Sequence, residues 1–187
     1  MDNLKPSPLV EKYQKNAKQG SVLDIGIGRG DDSIFLAEKG FFVTAVDIKE
    51  NIIESFKKRV SLESFKIEIV SKNIKDFDIK KNNYTLIIAI NSLHFLEKKV
   101  FFNVLEKIKN GLRKGGICII AVFTDEDPMV KEGKVGNNYF PKAGELKNIF
   151  EKDFEVLFYK EAVINDKGHP GNESPHMHSV ARIVAKK

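Results

Sequence analysis

Short apolar runs alternate with amphipathic stretches along the first two thirds of the chain. The apolar runs predict strands at residues 21–25, 41–46, 66–70, 84–90 and 117–123. Apolar positions at helical spacing predict helices between them, at residues 31–39, 50–61 and 97–112. The alternating pattern within 66–70 is typical of a strand near a sheet edge, whereas the continuous runs predict strands buried on both faces. Strands that alternate with helices favour a parallel sheet with right-handed crossovers.

The last third of the chain has a different pattern. Pro141 is expected to open a helix, and two strands then follow at residues 154–159 and 179–184 with no helix between them. Consecutive strands of this kind predict an antiparallel hairpin at the far edge of the sheet. Their connection, at 164–176, is long and rich in Gly, Pro, Asn and His, which is typical of functional loops.

The N-terminal segment leaves two alternatives open. Residues 7–18 predict a short amphipathic helix that ends before Gly20. The segment 1–19 either covers a ligand site or packs on the sheet, and the sequence does not separate these. Because no repeat and no linker interrupts the chain, residues 1–187 are expected to form one domain.

Composition narrows the class of protein. The net charge is +5, but the lysines are scattered, and the densest group, Lys57-Lys58-Arg59, has no interleaved aromatics. A nucleic-acid surface is therefore not predicted. No apolar run reaches the roughly 20 residues that span a bilayer, and the N-terminus lacks the apolar region of a signal peptide. With Cys118 as the only cysteine, we expect a cytoplasmic protein without a disulfide or a membrane partner.

The stretch Val22-Leu23-Asp24-Ile25-Gly26-Ile27-Gly28-Arg29-Gly30 carries the clearest chemical signal. An apolar run ends in Asp24, three glycines alternate with other residues, and a helix is predicted to follow. Glycine lets a ligand approach backbone N–H groups, and the helix N-terminus adds free donors. Asp24 is expected to face the crevice where open α/β sheets bind ligands. A turn that needs glycine only for packing would have the same sequence. The residues that follow the neighbouring strands therefore decide between a ligand-binding turn and a packing turn.

Polar residues also end the second and third predicted strands. Asp47 follows strand two, and its carboxylate can accept hydrogen bonds from both hydroxyls of a ribose. Asn73 and Ile74 follow strand three, where a side-chain amide and a backbone N–H can bind an adenine edge. Each polar residue alone is as typical of a turn, but the positions taken together predict an adenine nucleoside.

The spacing of the glycines distinguishes a dinucleotide from S-adenosylmethionine as the adenine cofactor. A dinucleotide fingerprint needs G-x-G-x-x-G, but its third glycine position holds Asp31 or Ser33. Asp31 and Asp32 would also repel a pyrophosphate at the helix N-terminus. S-adenosylmethionine has no phosphate, and Asp24 or Asp31 would attract its ammonium group, so the sequence favours this cofactor.

These motifs resemble those of class I S-adenosylmethionine-dependent methyltransferases. The glycine stretch is similar to the first motif of that family, Asp47 to its ribose-binding acid, and Leu112-Arg113-Lys114-Gly115-Gly116 to its late glycine turn. More narrowly, Leu86–Leu96 and Tyr139–Leu146 resemble the tellurite-resistance, or TehB-like, methyltransferases. The resemblance implies a Rossmann-like α/β fold: a seven-stranded, mostly parallel sheet with helices on both faces and an antiparallel C-terminal hairpin.

The resemblance also implies which residues bind S-adenosylmethionine. Asp31-Asp32 stands where TehB-like proteins often have Arg-Asn, so Arg29 is the expected partner of the cofactor carboxylate. Asn73 replaces a frequent Asp and can still accept from the adenine amino group. The expected cofactor-binding residues are Asp24, Gly26, Gly28, Arg29, Gly30, Asp47, Ile48, Asn73, Ile74 and Asn91.

Methyl transfer to a small molecule is the expected reaction, with a soft nucleophile such as a tellurium or selenium oxyanion or a thiol. His94 lies just past strand four, and His176 and His178 share one face of the last strand, so these histidines are the expected substrate-side residues. A soft anion needs little help from a general base, whereas a hydroxyl or an ammonium would need one. No metal site is expected, because the chain has no H-x-x-x-H or cysteine-rich spacing.

Two other functions stay open at this point. A nucleic-acid or protein methyltransferase is one, although amine-modifying nucleic-acid enzymes are expected to carry an Asn/Asp-Pro-Pro-aromatic run where this chain has Asn91-Ser92-Leu93-His94. A non-catalytic nucleoside-binding module with the same fold is the other. The intact Gly26, Gly28, Gly30 and Asp47 favour an enzyme, and the oligomeric state is not determined.

Overall fold

A computed structural model describes residues 5–61, 63–133, 135–166 and 174–187. The strands are β1 (Ser21–Ile25), β2 (Phe42–Asp47), β3 (Ile67–Ser71), β4 (Tyr84–Ile90), β5 (Leu112–Phe123), β6 (Glu155–Asp166) and β7 (His176–Lys186). The α-helices are α1 (Pro8–Tyr13), α2 (Asp31–Glu38), α3 (Glu50–Val60), α4 (Lys98–Gly111), α5 (Pro128–Lys131) and α6 (Glu145–Phe150). Each predicted strand and helix has a counterpart among the described residues, and α5 is an additional helix there.

The strands form one sheet in the order β3-β2-β1-β4-β5-β7-β6. Strands β1 to β5 run parallel, whereas β7 is antiparallel to both β5 and β6. The predicted α/β fold with an antiparallel C-terminal hairpin is confirmed. Strand β3 lies at an edge, as its alternating pattern indicated, and the fully apolar β4 lies in the middle.

Helices cover both faces of the sheet. On one face, α4 and α6 bury Phe101, Leu105 and Phe150 against the sheet. On the other face, α1, α2 and α3 pack over β1 and β4, and Val10 of α1 is fully buried there. In the part of the chain that the structure describes, no helix combines the length and the apolar content needed to cross a bilayer.

The C-terminal hairpin is longer than its apolar pattern predicted. Strand β6 continues to Asp166 and β7 begins at His176, and the two residues face each other in the antiparallel register. The predicted connection at 164–176 therefore shortens at both ends. Its central part, residues 167–173, lies outside the described residues, and this includes His169.

Two predicted boundaries differ because glycine changes the backbone direction. Gly115 has a φ of 77°, and the β4–β5 register shifts beside it, so Lys114-Gly115-Gly116 forms a bulge at the start of β5 instead of a separate turn. Helix α6 begins at Glu145 and not at Pro141, because Gly144 precedes it with a φ of 75°. The Glu145 carboxylate then accepts the Lys142 N–H at 2.9 Å, which fixes the loop that leads into the helix.

The N-terminal segment packs on the sheet. Helix α1 ends at Tyr13 and continues as a short 3₁₀ turn over Gln14–Asn16. The Ser7 backbone N–H donates to Asp32 Oδ1 at 2.6 Å, which ties the segment to the start of α2. Residues 1–4 lie outside the described residues, and a covering role for the segment stays a prediction.

Candidate active site

A cavity of about 510 Å³ opens at the carboxyl ends of β1, β2, β3 and β4. Its volume lies within the range of small-molecule sites, and parallel sheets bind ligands at this edge. Most of the predicted cofactor residues line it, namely Gly26, Gly28, Asp47, Ile48, Asn73, Ile74 and Asn91. Asp24, Arg29 and Gly30 were predicted for the same site but do not line the cavity.

The glycines of the β1–α2 turn have different roles. A Cβ on Gly26 would lie 2.5 Å from the Ser92 Cβ, and a Cβ on Gly30 would lie 2.2 Å from the Phe56 ring. Gly28, with a φ of 55°, has nothing within 4 Å of that position. Gly26 and Gly30 therefore satisfy packing, while Gly28 keeps open space at the cavity wall.

Asp47 and Asn73 are held in place by their own turns. Asp47 Oδ1 accepts the Lys49 N–H at 2.9 Å, and Asn73 Oδ1 accepts the Lys75 N–H at 3.0 Å. These bonds are the turn interactions that either residue would make without a ligand. Both side chains nevertheless lie at the cavity wall, and each oxygen keeps a second lone pair.

Asp24 is buried below the turn and does not face the cavity as expected. Only 3% of it is exposed, and its Oδ2 accepts the Ser33 hydroxyl at 2.6 Å. Burial, helped by the nearby Asp32 charge, raises the pKa of Asp24 to about 8. Burial also raises the pKa of Asp32 to about 6, although the Ser7 N–H opposes the shift. The site thus holds two carboxyl groups that take up protons readily.

Arg29 does not line the cavity, so the structure does not bring it to the expected place. Its Nε lies 3.4 Å from Asp31 Oδ2, and its side chain is 68% exposed. Arg59 on α3 approaches the same acid, with 2.7 Å between its Nη2 and Asp31 Oδ1. The two arginines neutralise Asp31, which leaves Asp24 and Asp32 as the uncompensated acids of the turn.

His94 is buried in a stack of rings at the carboxyl end of β4. Its ring lies 4.1 Å from that of Phe123 at an interplanar angle of 14°, and its Nδ1 accepts the Phe123 N–H at 3.3 Å. Burial and the neighbouring His178 lower the pKa of His94 to about 3. The ring is therefore neutral and carries its proton on Nε2, which has no hydrogen-bond partner among the described residues.

His178 lies on the other side of Phe123, with 3.9 Å between the ring centroids. Its Nδ1 contacts Asp127 Oδ2 at 2.9 Å, and Asp127 also accepts the N–H groups of Ser179 and Met129. Within the described residues, His178 Nε2 is buried without a hydrogen-bond partner. His94, Phe123 and His178 form a ring column, which we call the acceptor-side stack.

His176 adjoins the stack, and the expectation of a shared face with His178 agrees with the register. The two rings are 4.6 Å apart and perpendicular. Ligand atoms of Asp166, His176 and His178 all lie within 4.8 Å of one another. The sequence provided no metal-binding spacing here, because the hairpin brings Asp166 across from the other strand.

Comparisons with known proteins identify the family of this chain. A family model described as "Tellurite resistance protein TehB" matches residues 7–173. The chain belongs to the TehB family. A relative from Haemophilus influenzae, named a probable S-adenosyl-L-methionine-dependent methyltransferase TehB, is 28% identical over 142 residues, which is 75% of this chain and 48% of the relative. This TehB-family chain therefore spans about half the length of the curated relative.

Solved structures share the fold of this TehB-family chain. TehB from Haemophilus influenzae has a TM-score of 0.84 at 24% identity, covering 100% of this chain and 64% of that one. A 1,6-didemethyltoxoflavin-N1-methyltransferase from Burkholderia thailandensis, crystallised with S-adenosylhomocysteine, has a TM-score of 0.67 at 20% identity, covering 94% and 74%. Both likenesses show the fold.

Several residues of the site in this TehB-family chain were not predicted. Ser92, Phe95, Leu96 and Asn138 line the cavity, and Asp127 orients His178. The first three directly follow a buried strand, which is a signal that sequence analysis can use. An Asp before Pro128 predicts a helix N-cap, and Asp127 does accept the Met129 N–H at 3.1 Å. Its contact with His178 has no local signal.

Proposed function

We propose that this chain transfers the methyl group of S-adenosylmethionine to a small, soft nucleophile. The observation that carries the proposal is the cavity at the carboxyl ends of β1 to β4, with Gly28, Asp47 and Asn73 in its wall. Membership of the TehB family supports the cofactor, because relatives are named for dependence on S-adenosylmethionine. The family description supports a tellurium oxyanion as the acceptor.

The residues present fit this cofactor. Gly28 leaves room for a ligand against the backbone, and Asp47 can accept from two ribose hydroxyls. Ile48 and Phe95 are 61% and 59% exposed and both lie at the cavity wall, where their apolar surfaces suit contact with a flat base. Asp24 and Asp32 do not line the cavity, so neither is assigned to the ammonium group of the cofactor.

When bound, S-adenosylmethionine supplies a methyl group on a positively charged sulfur, which needs no further activation as a leaving group. The chain then has to bind the cofactor and the acceptor, orient them towards each other and exclude water. Asn91 has a φ of 53°, a conformation that is uncommon outside glycine and concentrates at functional sites. Its N–H donates to the Ala121 carbonyl at 2.8 Å, which fixes the cavity wall between β4 and β5.

The acceptor side lies beyond Asn91, where the acceptor-side stack begins. The neutral His94 offers a buried Nε2–H donor without a partner among the described residues. A donor of this kind suits the oxygen of an oxyanion, and such a soft nucleophile needs no strong base. The Tyr139 N–H donates to the Leu96 carbonyl at 2.8 Å, so the segment after β5 encloses this side and favours a small acceptor.

Transfer of labelled methyl groups tests the proposal. We expect label from S-adenosylmethionine on tellurite, selenite or a thiol, and none on RNA or on a protein mixture. Label on RNA or protein would contradict the small-molecule acceptor. Tight binding of the cofactor without transfer to any of these acceptors would instead indicate a binding module.

Calorimetry with S-adenosylhomocysteine tests the cofactor site by itself. Asp47→Ala should weaken binding by about 2–3 kcal/mol, because the ribose hydroxyls lose a charged acceptor. Asp78→Ala is the matched control, since Asp78 is exposed and does not line the cavity. Equal affinities for the two variants would refute the ribose role of Asp47.

A further inference from the structure

We propose that Asp166, His176 and His178 bind a divalent transition-metal ion, with Zn²⁺ as the expected occupant. Their ligand atoms lie within 4.8 Å of one another. Zinc with ligand bonds of 2.0–2.2 Å brings donor atoms to about 3.5 Å apart, so small side-chain rotations would complete the site. The proposal concerns metal binding alone and does not depend on the proposed methyl transfer.

The antiparallel register builds the cluster. His176 and His178 alternate along β7 and so project from one face, and Asp166 lies directly opposite His176 on β6. The cluster therefore stands on two hydrogen-bonded strands and not on a loop. Rigid elements of this kind hold metal ligands more accurately than loops do.

His178 is the strongest evidence for a ligand. Only 5% of the residue is exposed, and its Nε2 is buried without a hydrogen-bond partner among the described residues. A buried polar nitrogen left unpaired costs free energy, and coordination to a metal would remove that cost. A cluster of exposed acids is common on protein surfaces and does not by itself indicate a metal site. The buried, unpaired His178 Nε2 distinguishes this cluster from such surfaces.

Both histidines have the outer contacts that are typical of metal ligands. Asp127 Oδ2 holds His178 Nδ1 at 2.9 Å, and the Ser174 carbonyl lies 2.7 Å from His176 Nδ1. A carboxylate or carbonyl on Nδ1 places the proton there and turns the lone pair of Nε2 to the metal. Asp127 is itself fully buried and fixed by the Ser179 N–H at 3.0 Å.

The donor set selects the class of metal. Two imidazoles and one carboxylate suit zinc and related divalent ions, whereas Mg²⁺ and Ca²⁺ prefer oxygen ligands alone. Three protein ligands leave a fourth position open, as in catalytic zinc sites. The site is thus expected to bind one Zn²⁺ and not to bind Mg²⁺.

Equilibrium dialysis of the full chain, with any affinity tag removed and bound metal stripped by a chelator, tests the proposal. We expect one Zn²⁺ per chain and no stoichiometric Mg²⁺. Asp166→Asn and His176→Ala should each weaken Zn²⁺ binding at least about tenfold, and Asp127→Asn about 10- to 100-fold as an outer-shell change. Met177→Ala is the control, because Met177 is exposed on the other face of β7.

Substitution of His178 is less informative, because this buried residue also supports folding. The tests at Asp166 and His176 avoid that problem, since neither residue is fully buried. The four-coordinate absorption of bound Co²⁺ should appear in the wild type and in Met177→Ala, and disappear in His176→Ala. Absence of stoichiometric Zn²⁺, or binding that Asp166→Asn and His176→Ala leave unchanged, would overturn the proposal.

Discussion

The two halves of the sheet's carboxyl edge are built in opposite ways. At the ends of β1 to β4 the chain leaves a cavity of about 510 Å³ between turns, with the Asp47 carboxylate in its wall. Beside the cavity, past the ends of β4 and β5 and at the beginning of the antiparallel β7, the space is filled by the acceptor-side stack, whose rings lie 3.9–4.1 Å apart. The open half is made by local turns, and the filled half is made by residues that meet only in the folded chain.

The two halves also respond to pH in opposite ways. Asp24 has its pKa raised to about 8, so stability is lost as the pH rises from about 4 towards 8, because only the unfolded chain ionises readily. His94 has its pKa lowered to about 3, so stability is lost as the pH falls below about 6.5, where the unfolded chain binds the proton. The pH dependence of stability therefore reports on the open half through Asp24 and on the filled half through His94.

Two glycine substitutions should show which glycine of the open half is needed for packing and which leaves room for the ligand. Gly30→Ala should destabilise the protein by about 3–4 kcal/mol, because its Cβ would clash with the Phe56 ring and its φ is 79°. Gly28→Ala meets open space and should cost about 1–2 kcal/mol, yet it should weaken S-adenosylhomocysteine binding. Urea unfolding and calorimetry measure both effects. Similar stabilities for the two variants would contradict the division of roles.

Asp24→Asn should remove the larger part of the alkaline loss of stability, because the pKa of Asp24 is raised to about 8 and that of Asp32 only to about 6. At pH 8 and without cofactor, the variant should be more stable than the wild type by about 2–4 kcal/mol, because no buried carboxyl group has to ionise or stay protonated. At pH 4 the two proteins should be equally stable. Asp78→Asn, at an exposed position, should leave the profile unchanged. An unaltered slope in Asp24→Asn would show that Asp24 ionises normally.

His94→Phe should weaken the acid loss of stability on the filled half. Between pH 7 and pH 5 the wild type should lose about 2 kcal/mol through His94, because the unfolded histidine gains a proton that the buried ring does not. The variant keeps a ring in the stack but lacks this contribution, so its stability relative to the wild type should rise by about 2 kcal/mol between pH 7 and pH 5. Its stability at pH 8 should fall by about 1 kcal/mol, because the Phe123 N–H loses its acceptor. Urea unfolding at the three pH values checks this.

Phe123→Leu should change stability only moderately and still affect the filled half selectively. We expect a loss of about 1–2 kcal/mol, lower methyl transfer and unchanged S-adenosylhomocysteine affinity, because the ring between the two histidines is removed. Phe150→Leu, in the core under α6, should cost as much stability without loss of transfer. Equal transfer rates in the two variants would exclude a role for the stack in acceptor binding.

The fold was predictable from the sequence because its signals are local. Continuous apolar runs identified β4 and β5 as central strands, and helical spacing identified α3 and α4, since side-chain period follows directly from backbone geometry. The glycine turn and Asp47 could also be assigned to the ligand edge, because the carboxyl ends of parallel strands meet there.

Tertiary structure decided what each predicted residue contacts. It buried Asp24 beside Ser33 and turned Arg29 towards Asp31, outcomes that depend on how α2 and α3 pack and not on residue type. It joined Asp127 to His178 across 51 residues and set Asp166 opposite His176. Strand register and the closure of long loops depend on how the whole chain packs. Local sequence therefore determined the edge of the sheet at which the site lies. The folded structure determined which side chains meet there.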